Sequence, residues 1–185
     1  TKTDTLLIET LSTRLEEYET DYDEYMSKDM MRGHELEPMA RDLLSQYTGV
    51  DFITCGWWQS EINDLLGISP DGCNKDLTVA CEIKCPGAKA HTEIVMTKQI
   101  PLEYIFQCVH YFTVNPNLKS LWFMSFRPES NKSMFFKELK LESDVNIGTK
   151  AKPVIKPIYD VVNLSLRLAD DFTNVVNHEL QQLEF

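Results

Sequence analysis

A Pro-Asp-Gly turn at residues 70–72 and a Glu-x-Lys pair at Glu82 and Lys84 are the residues whose types and spacing could do chemistry. They lie in one stretch, SPDGCNKDLTVACEIKCP, residues 69–86. A strand has a side-chain period of two, so Glu82 and Lys84 stand side by side on one face. Asp71 is eleven residues upstream of Glu82, enough for a turn and half a strand to bring the two carboxylates together. Close carboxylates repel unless a cation lies between them. A hard divalent ion suits such a site, and Mg²⁺ commonly takes one or two carboxylates plus substrate oxygens. An amine beside the ion can have its pKa lowered, and can orient or deprotonate a water. Asp71, Glu82 and Lys84 are therefore minimal equipment for metal-assisted phosphodiester hydrolysis. The plain alternative is a salt bridge on a solvated strand face, the usual meaning of an isolated Glu-x-Lys.

These residues must be positioned by the elements around them. In LTVACEIKC, Leu77, Val79, Cys81, Ile83 and Cys85 point one way, and Thr78, Ala80, Glu82 and Lys84 the other. Asp71 is expected to end the preceding strand, in a turn that Pro70 and Gly72 make rigid. Leu6, Leu7, Leu11, Leu15 and Tyr18 recur at helical spacing behind a cap at Asp4, and an acidic break follows at residues 18–29. A second helix is predicted over residues 31–47, with the stripe Leu36, Met39, Ala40, Leu43, Leu44 and Tyr47, stopped by Gly49. VDFITCGWWQS and LLGIS read as two strand-like runs. A helix over residues 102–114 should end before Asn115-Pro116. LWFMSF and MFFKELKL read as a strand pair, and residues 159–183 as a long amphipathic helix. This order predicts a single α/β domain spanning 1–185, with a central mixed sheet flanked by helices. Its parts are a helical segment (1–30), a core carrying the chemistry (31–141) and a C-terminal helix (157–185).

Composition narrows the class. The chain has 185 residues and a 43 % apolar fraction, with no run long enough to cross a membrane and no visible signal peptide. Five cysteines, an odd number, argue against a secreted disulfide framework and for a reducing cytoplasm. An iron–sulfur cluster is disfavoured because no Cys-x-x-Cys pair exists; buried thiols are expected instead. The net charge of −11, from 18 basic and 29 acidic residues, argues against nucleic acid as a partner. A DNA-binding cleft would have to rely on local positive charge or on metal.

GISPDG followed by CEIKCP resembles the PD-(D/E)xK nuclease motif, and in particular the YqaJ-like viral recombinases, the family of bacteriophage lambda exonuclease. MMRGHELEPMARDLLSQYTGV resembles that family's helix with a Gly-x-x-x-Glu signature, which places a further metal-site carboxylate at Glu37. LEYIFQCVHYFTV resembles its helix with an active-site glutamine, at Gln107. On a helical wheel Glu37 lies at the edge of its apolar stripe beside Gly33 and Leu44; otherwise it is a solvated Glu. Gln107 shares a face with Tyr104 and Tyr111, opposite Leu102, Ile105, Phe106 and Val109; otherwise it is a core amide bonded to backbone.

The resemblance implies a restriction-endonuclease-like core. Asp71, Glu82 and the backbone carbonyl of Ile83 would hold Mg²⁺, with Mn²⁺ as a substitute. Glu37 would assist a second ion, and Lys84 would position or activate water. It implies a 5′→3′ exonuclease that leaves a 3′ overhang on linear duplex DNA. It also implies a trimeric ring, a single-strand annealing partner, and a phage or prophage origin in a bacterial cytoplasm. The family's Trp-His-x-x-Arg stretch, with its Arg for the 5′ phosphate, is not found before Met31, so it lies ahead of Thr1 or the pocket is missing. Lys89, His91 and Lys98 are candidates for phosphate contact, and Trp57-Trp58 for base stacking unless one packs into the core. His34 is expected to be exposed. The other readings are a PD-(D/E)xK endonuclease of restriction or repair type, and a silent DNA-end or protein-binding module.

Overall fold

The Glu-x-Lys segment forms β4 (Val79–Lys84), an inner strand of a four-stranded sheet. The computed structural model describes residues 2–15 and 28–183. Tyr18 and nearly all of the acidic break lie outside the described residues. The sheet runs β3 (Gly72–Cys73), β4, β5 (Ser120–Phe126), β6 (Met134–Leu139). β4 and β5 are parallel, and the other two pairings are antiparallel, so the sheet is mixed, as predicted. Parallel neighbours need a long crossover. Here it is made by α3 (Ala88–Thr97) and α4 (Leu102–Val114), of which only α4 was expected.

β4 is covered on both faces, which explains its nearly continuous apolar sequence. Cys81 and Ile83 pack with Ala40 and Leu44 of α2 (Lys28–Thr48), while Ala80 belongs to the cluster built on Ile105, Cys108 and Val109 of α4. α2 ends as its sequence demands: Gly49 adopts φ +73°, and its N–H donates to the Ser45 carbonyl at 2.9 Å. The buried stripe of α2 is narrower than predicted. Ala40 and Leu44 are fully buried, but Met39 and Tyr47 are exposed, and Tyr47 rests against Phe136.

Four further expectations change. VDFITCGWWQS and LLGIS give only the two-residue strands β1 (Trp58–Gln59) and β2 (Gly67–Ile68), with Ile53 bridged to Cys73. Ile53 and Trp57 stay exposed, so the alternation a longer half-buried strand needs is not sustained. Leu77 is not part of β4. It sits in the β3–β4 turn at φ +55°, with the Asn74 side chain accepting from the N–H groups of Thr78 and Val79. Asp71 lies in the bend just ahead of β3 rather than ending a strand. A small ribbon, β7 (Asp144–Asn146) and β8 (Ile155–Pro157), was not foreseen. α1 (Lys2–Leu15) forms, yet buries no residue fully. α5 (Ile158–Leu183) packs on α4 through Ile158, Val161 and Val162.

Candidate active site

β3 pairs with β4 in a register that sets Gly72 across from Cys81. One step further along that register, Asp71 faces Glu82, so the eleven-residue spacing is an antiparallel hairpin. The Asp71 Oδ2 atom accepts the Ile83 N–H at 2.6 Å, which anchors the carboxylate to the backbone of β4. Burial, then the charge of Glu82, then that of Glu37, push the Asp71 carboxyl up to about 7, although the Ile83 bond acts the other way. An acid held so far above its ordinary range marks carboxylates crowded without enough positive charge.

Gly72 has a role that its sequence context did not suggest. It has no positive φ. A Cβ there would come within 2.8 Å of Arg41 Cδ and 3.0 Å of Cys81 Sγ. The glycine lets Arg41 lie across β3. From there Arg41 Nη1 donates to the Asp71 carbonyl at 2.5 Å and to Glu37 Oε1 at 2.9 Å. Arg41 was missed in the sequence, although the i, i+4 spacing from Glu37 was a usable signal.

Glu82 is completely buried. Its Oε2 accepts the Tyr111 hydroxyl at 2.7 Å, and its Oε1 lies 2.5 Å from Lys84 Nζ. That ammonium sits off the direction of a good hydrogen bond, so Oε1 has an ion pair but no directed donor. Lys84 rests 5.5 Å above the Tyr104 ring, which stacks on Phe123. Burial lowers the Lys84 pKa, but the negative charge of Glu82 at close range outweighs it, and the amine is held above its ordinary value. Burial and then the charge of Glu82 likewise push the Tyr111 phenol well up. Tyr111, noticed in the sequence only as a neighbour of Gln107, holds the buried acid.

The structure thus gathers Glu37, Asp71, Glu82 and Lys84. Gln107 is half-buried on α4, and its side chain makes no hydrogen bond among the described residues. Phe106, expected in the buried stripe of α4, is half exposed. Lys89 and Lys98 are exposed on α3 and at its left-handed C-cap, with no contact to the carboxylates. His91 is no phosphate ligand: it is fully buried, bonded to Ser125 Oγ and the Lys132 carbonyl. His34 is exposed, as expected, and Trp58 packs edge-on to Tyr111 while Trp57 stays out. Cys73, Cys81 and Cys108 are buried free thiols.

A divalent cation fits this donor set. Its elements are a fully buried carboxylate oxygen without a directed donor, a second carboxyl raised by burial and then by the charge of Glu82, and an ammonium already standing as a cation against Glu82. Among the described residues no group of three His, Cys or acidic side chains could by itself hold a metal ion. That accords with a site completed by backbone carbonyl, water and substrate oxygens.

A mixed sheet between helices, with Asp and Glu-x-Lys on adjoining strands, defines the PD-(D/E)xK nuclease fold. The chain matches the YqaJ-like viral recombinase domain over residues 2–116 and belongs to that family. Among solved structures, LHK-Exo in complex with dAMP is 23 % identical, with a TM-score of 0.73, covering 97 % of this chain and 82 % of that one. LHK-Exo, an alkaline exonuclease from Laribacter hongkongensis, is also matched at 22 % identity with the same TM-score and coverage. A phage-related exonuclease from Haemophilus somnus 129PT aligns at 12 % identity and a TM-score of 0.58, covering 97 % of this chain and 83 % of that one. These likenesses establish a common fold. A search of the curated proteins finds no match.

Proposed function

We propose that this protein is a Mg²⁺-dependent 5′→3′ exonuclease acting on ends of linear duplex DNA. It leaves a 3′ overhang for recombination by single-strand annealing. The observation that carries the proposal is the fully buried Glu82, held by Tyr111 and paired with Lys84, directly across from the crowded Asp71. Burying a charged acid is costly, and a scaffold keeps one where function requires it. Family membership and the exonuclease neighbours support the same reading.

Asp71, Glu82 and the Ile83 carbonyl are the ligands for a main ion, with Glu37 assisting a second, and Mn²⁺ substitutes for Mg²⁺. When bound, the ion supplies charge to the phosphodiester and acidity to a water. Lys84 orients that water and holds its proton balance. Tyr111 fixes the Glu82 rotamer. Arg41 fixes Glu37 against the Asp71 backbone, and Gln107 lines the substrate side. Lys89 and Lys98 supply at most peripheral phosphate contact. A ring of identical subunits, an annealing protein as partner and a bacterial cytoplasm complete the proposal. No helix among the described residues is long and apolar enough to cross a membrane.

The test is purified protein with Mg²⁺ on linear and on closed-circular duplex, with and without a 5′ phosphate. Shortening of linear DNA alone, starting at the 5′ end, is expected. Cutting of circles would assign a PD-(D/E)xK endonuclease, and no cleavage with either Mg²⁺ or Mn²⁺ would leave a DNA-end or protein-binding module.

A further inference from the structure

A second ion-pair centre lies at the carboxyl end of the two parallel strands. Arg32 of α2 donates to both oxygens of Glu129, at 2.9 and 2.8 Å. Arg127, just past β5, brings Nε to 3.9 Å from the same carboxylate and donates from Nη1 to the Pro86 carbonyl at 3.3 Å. Pro86 is two residues beyond Lys84, and Arg127 two beyond Ser125, the residue that pairs with Lys84. The centre therefore adjoins the carboxylate cluster. Cys85, between them, is under the influence of Arg32 on one side and of Asp71, Glu37 and Lys84 on the other.

Its burial is inverted relative to an ordinary surface pair. The side chains of Arg32 and Arg127 are 25 % and 21 % exposed, whereas Glu129 is 52 % exposed. The guanidiniums are set into the protein, and a carboxylate from the β5–β6 turn covers them from outside. A fork-on-fork carboxylate occupies the geometry in which Arg binds phosphate.

Gly33 adds an independent observation. It lies inside α2, next to Arg32 and one helical turn before Glu37. A Cβ on it would meet no atom within 4 Å among the described residues. Glycine inside a helix is unfavourable relative to Ala, and no neighbour among the described residues requires it. A helix surface left bare beside an arginine and an acid of the site suits close approach by another molecule's backbone. Arg32 precedes Glu37 by five residues, about 7.5 Å along the helix axis.

We infer that Arg32 and Arg127 form a clamp for a DNA phosphate flanking the one that is cleaved, with Glu129 occupying the clamp until the phosphate displaces it. This rests on the proposed nuclease function and names a subsite within it. The phosphate is an internal diester of the bound strand.

The experiment is fluorescence anisotropy of labelled duplex in EDTA, at several salt concentrations, with 5′-phosphate and 5′-hydroxyl ends. Cleavage with Mg²⁺ is measured in parallel. Glu129→Gln should tighten binding about threefold or more, while the control Glu138→Gln, elsewhere on the hairpin, changes it less. Arg32→Ala and Arg127→Ala should each weaken binding about tenfold and lower the salt slope by about one. Glu129→Gln should give no gain on the Arg32→Ala background. Gly33→Ala should melt at the same or a higher temperature, yet bind more weakly. Equal losses on 5′-phosphate and 5′-hydroxyl duplex support the internal site; losses confined to 5′-phosphorylated duplex would overturn it. If Glu129→Gln and Arg32→Ala both lower the melting temperature and leave DNA affinity unchanged, the pair is only a structural latch and the clamp is wrong. Wild-type cleavage with that outcome leaves the nuclease function standing, whereas absence of both binding and cleavage by wild type overturns both.

Discussion

The two ion-pair centres of this molecule are built with opposite polarity. At Glu82–Lys84 the acid is fully buried and the amine is partly open. At Arg32–Glu129 the cation is as far covered as Lys84, and it is the acid that stands in the open. An inward-facing acid with an outward-facing base is arranged to receive a cation, and the reverse is arranged to receive an anion. Both lie at one end of the parallel β4–β5 pair, where ligand sites of open α/β sheets gather. A metal-dependent phosphodiesterase needs both kinds of pocket side by side.

The comparison is broken most sharply at Lys84. Lys84→Ala should lower turnover by about 10²–10⁴-fold, the usual worth of a positioned acid–base group, while duplex binding survives. Turnover near the wild-type rate would remove Lys84 from the chemistry. Next in size is Gly72→Ala. The new Cβ would push against Arg41 and release its hold on Glu37 and the Asp71 carbonyl. Displacing a positioning group by about 1 Å can cost around 10²-fold, so a loss of 10- to 100-fold in kcat is expected with the protein still folded. Retained kcat with a lowered melting temperature would make Arg41 structural only.

The legible parts of this molecule are those where one local rule decides the outcome. The alternation of ACEIK and the P-D-G turn located Asp71, Glu82 and Lys84, because a strand of period two leaves little choice of face. The helix over residues 102–114 and the β5–β6 pair followed from Asn115-Pro116 and from short runs rich in aromatic residues. Arg41 and Tyr111 were not found, since their roles depend on what α2 and α4 face after the sheet is assembled. Gly72 was read as a turn residue, whereas it serves a long-range approach by Arg41. Leu77 was assigned to β4 because it is apolar, but Asn74 and the tight turn override that pattern. His91 was read with Lys89 as a candidate for phosphate contact; its burial against Ser125 depends on α3, which the sequence did not announce.

A smaller effect separates the crowded acid from its neighbours. The Asp71 carboxyl is raised in the folded state to about 7 from an ordinary value of 3.8, so the folded protein holds a proton that the unfolded chain has lost. That stabilisation is fully present below about pH 4 and disappears as pH rises through 7. In EDTA, Asp71→Asn should therefore melt above wild type at pH 8, by a margin that shrinks toward pH 4. Mg²⁺ should raise the wild-type melting temperature at pH 8 more than that of Asp71→Asn. A margin independent of pH, or a variant less stable at pH 8, would show that Asp71 is not under electrostatic pressure.

The smallest expected effect tests where positive charge matters. Lys89 and Lys98 share the sign of Arg32 and Arg127, but they are exposed, flexible amines with no hydrogen bond among the described residues that fixes them. Ordering such a side chain on a phosphate costs rotamer entropy, up to about 2 kcal/mol, and the attraction is screened within about 10 Å at 0.1 M salt. Lys89→Ala and Lys98→Ala should each weaken duplex binding by no more than about threefold at low salt, and by less at 0.2 M. The guanidiniums are already packed and oriented, so their contribution should persist at the higher salt. If the two lysine variants lose as much affinity as Arg32→Ala at 0.2 M, the DNA path runs over α3 instead of along the end of the parallel strands.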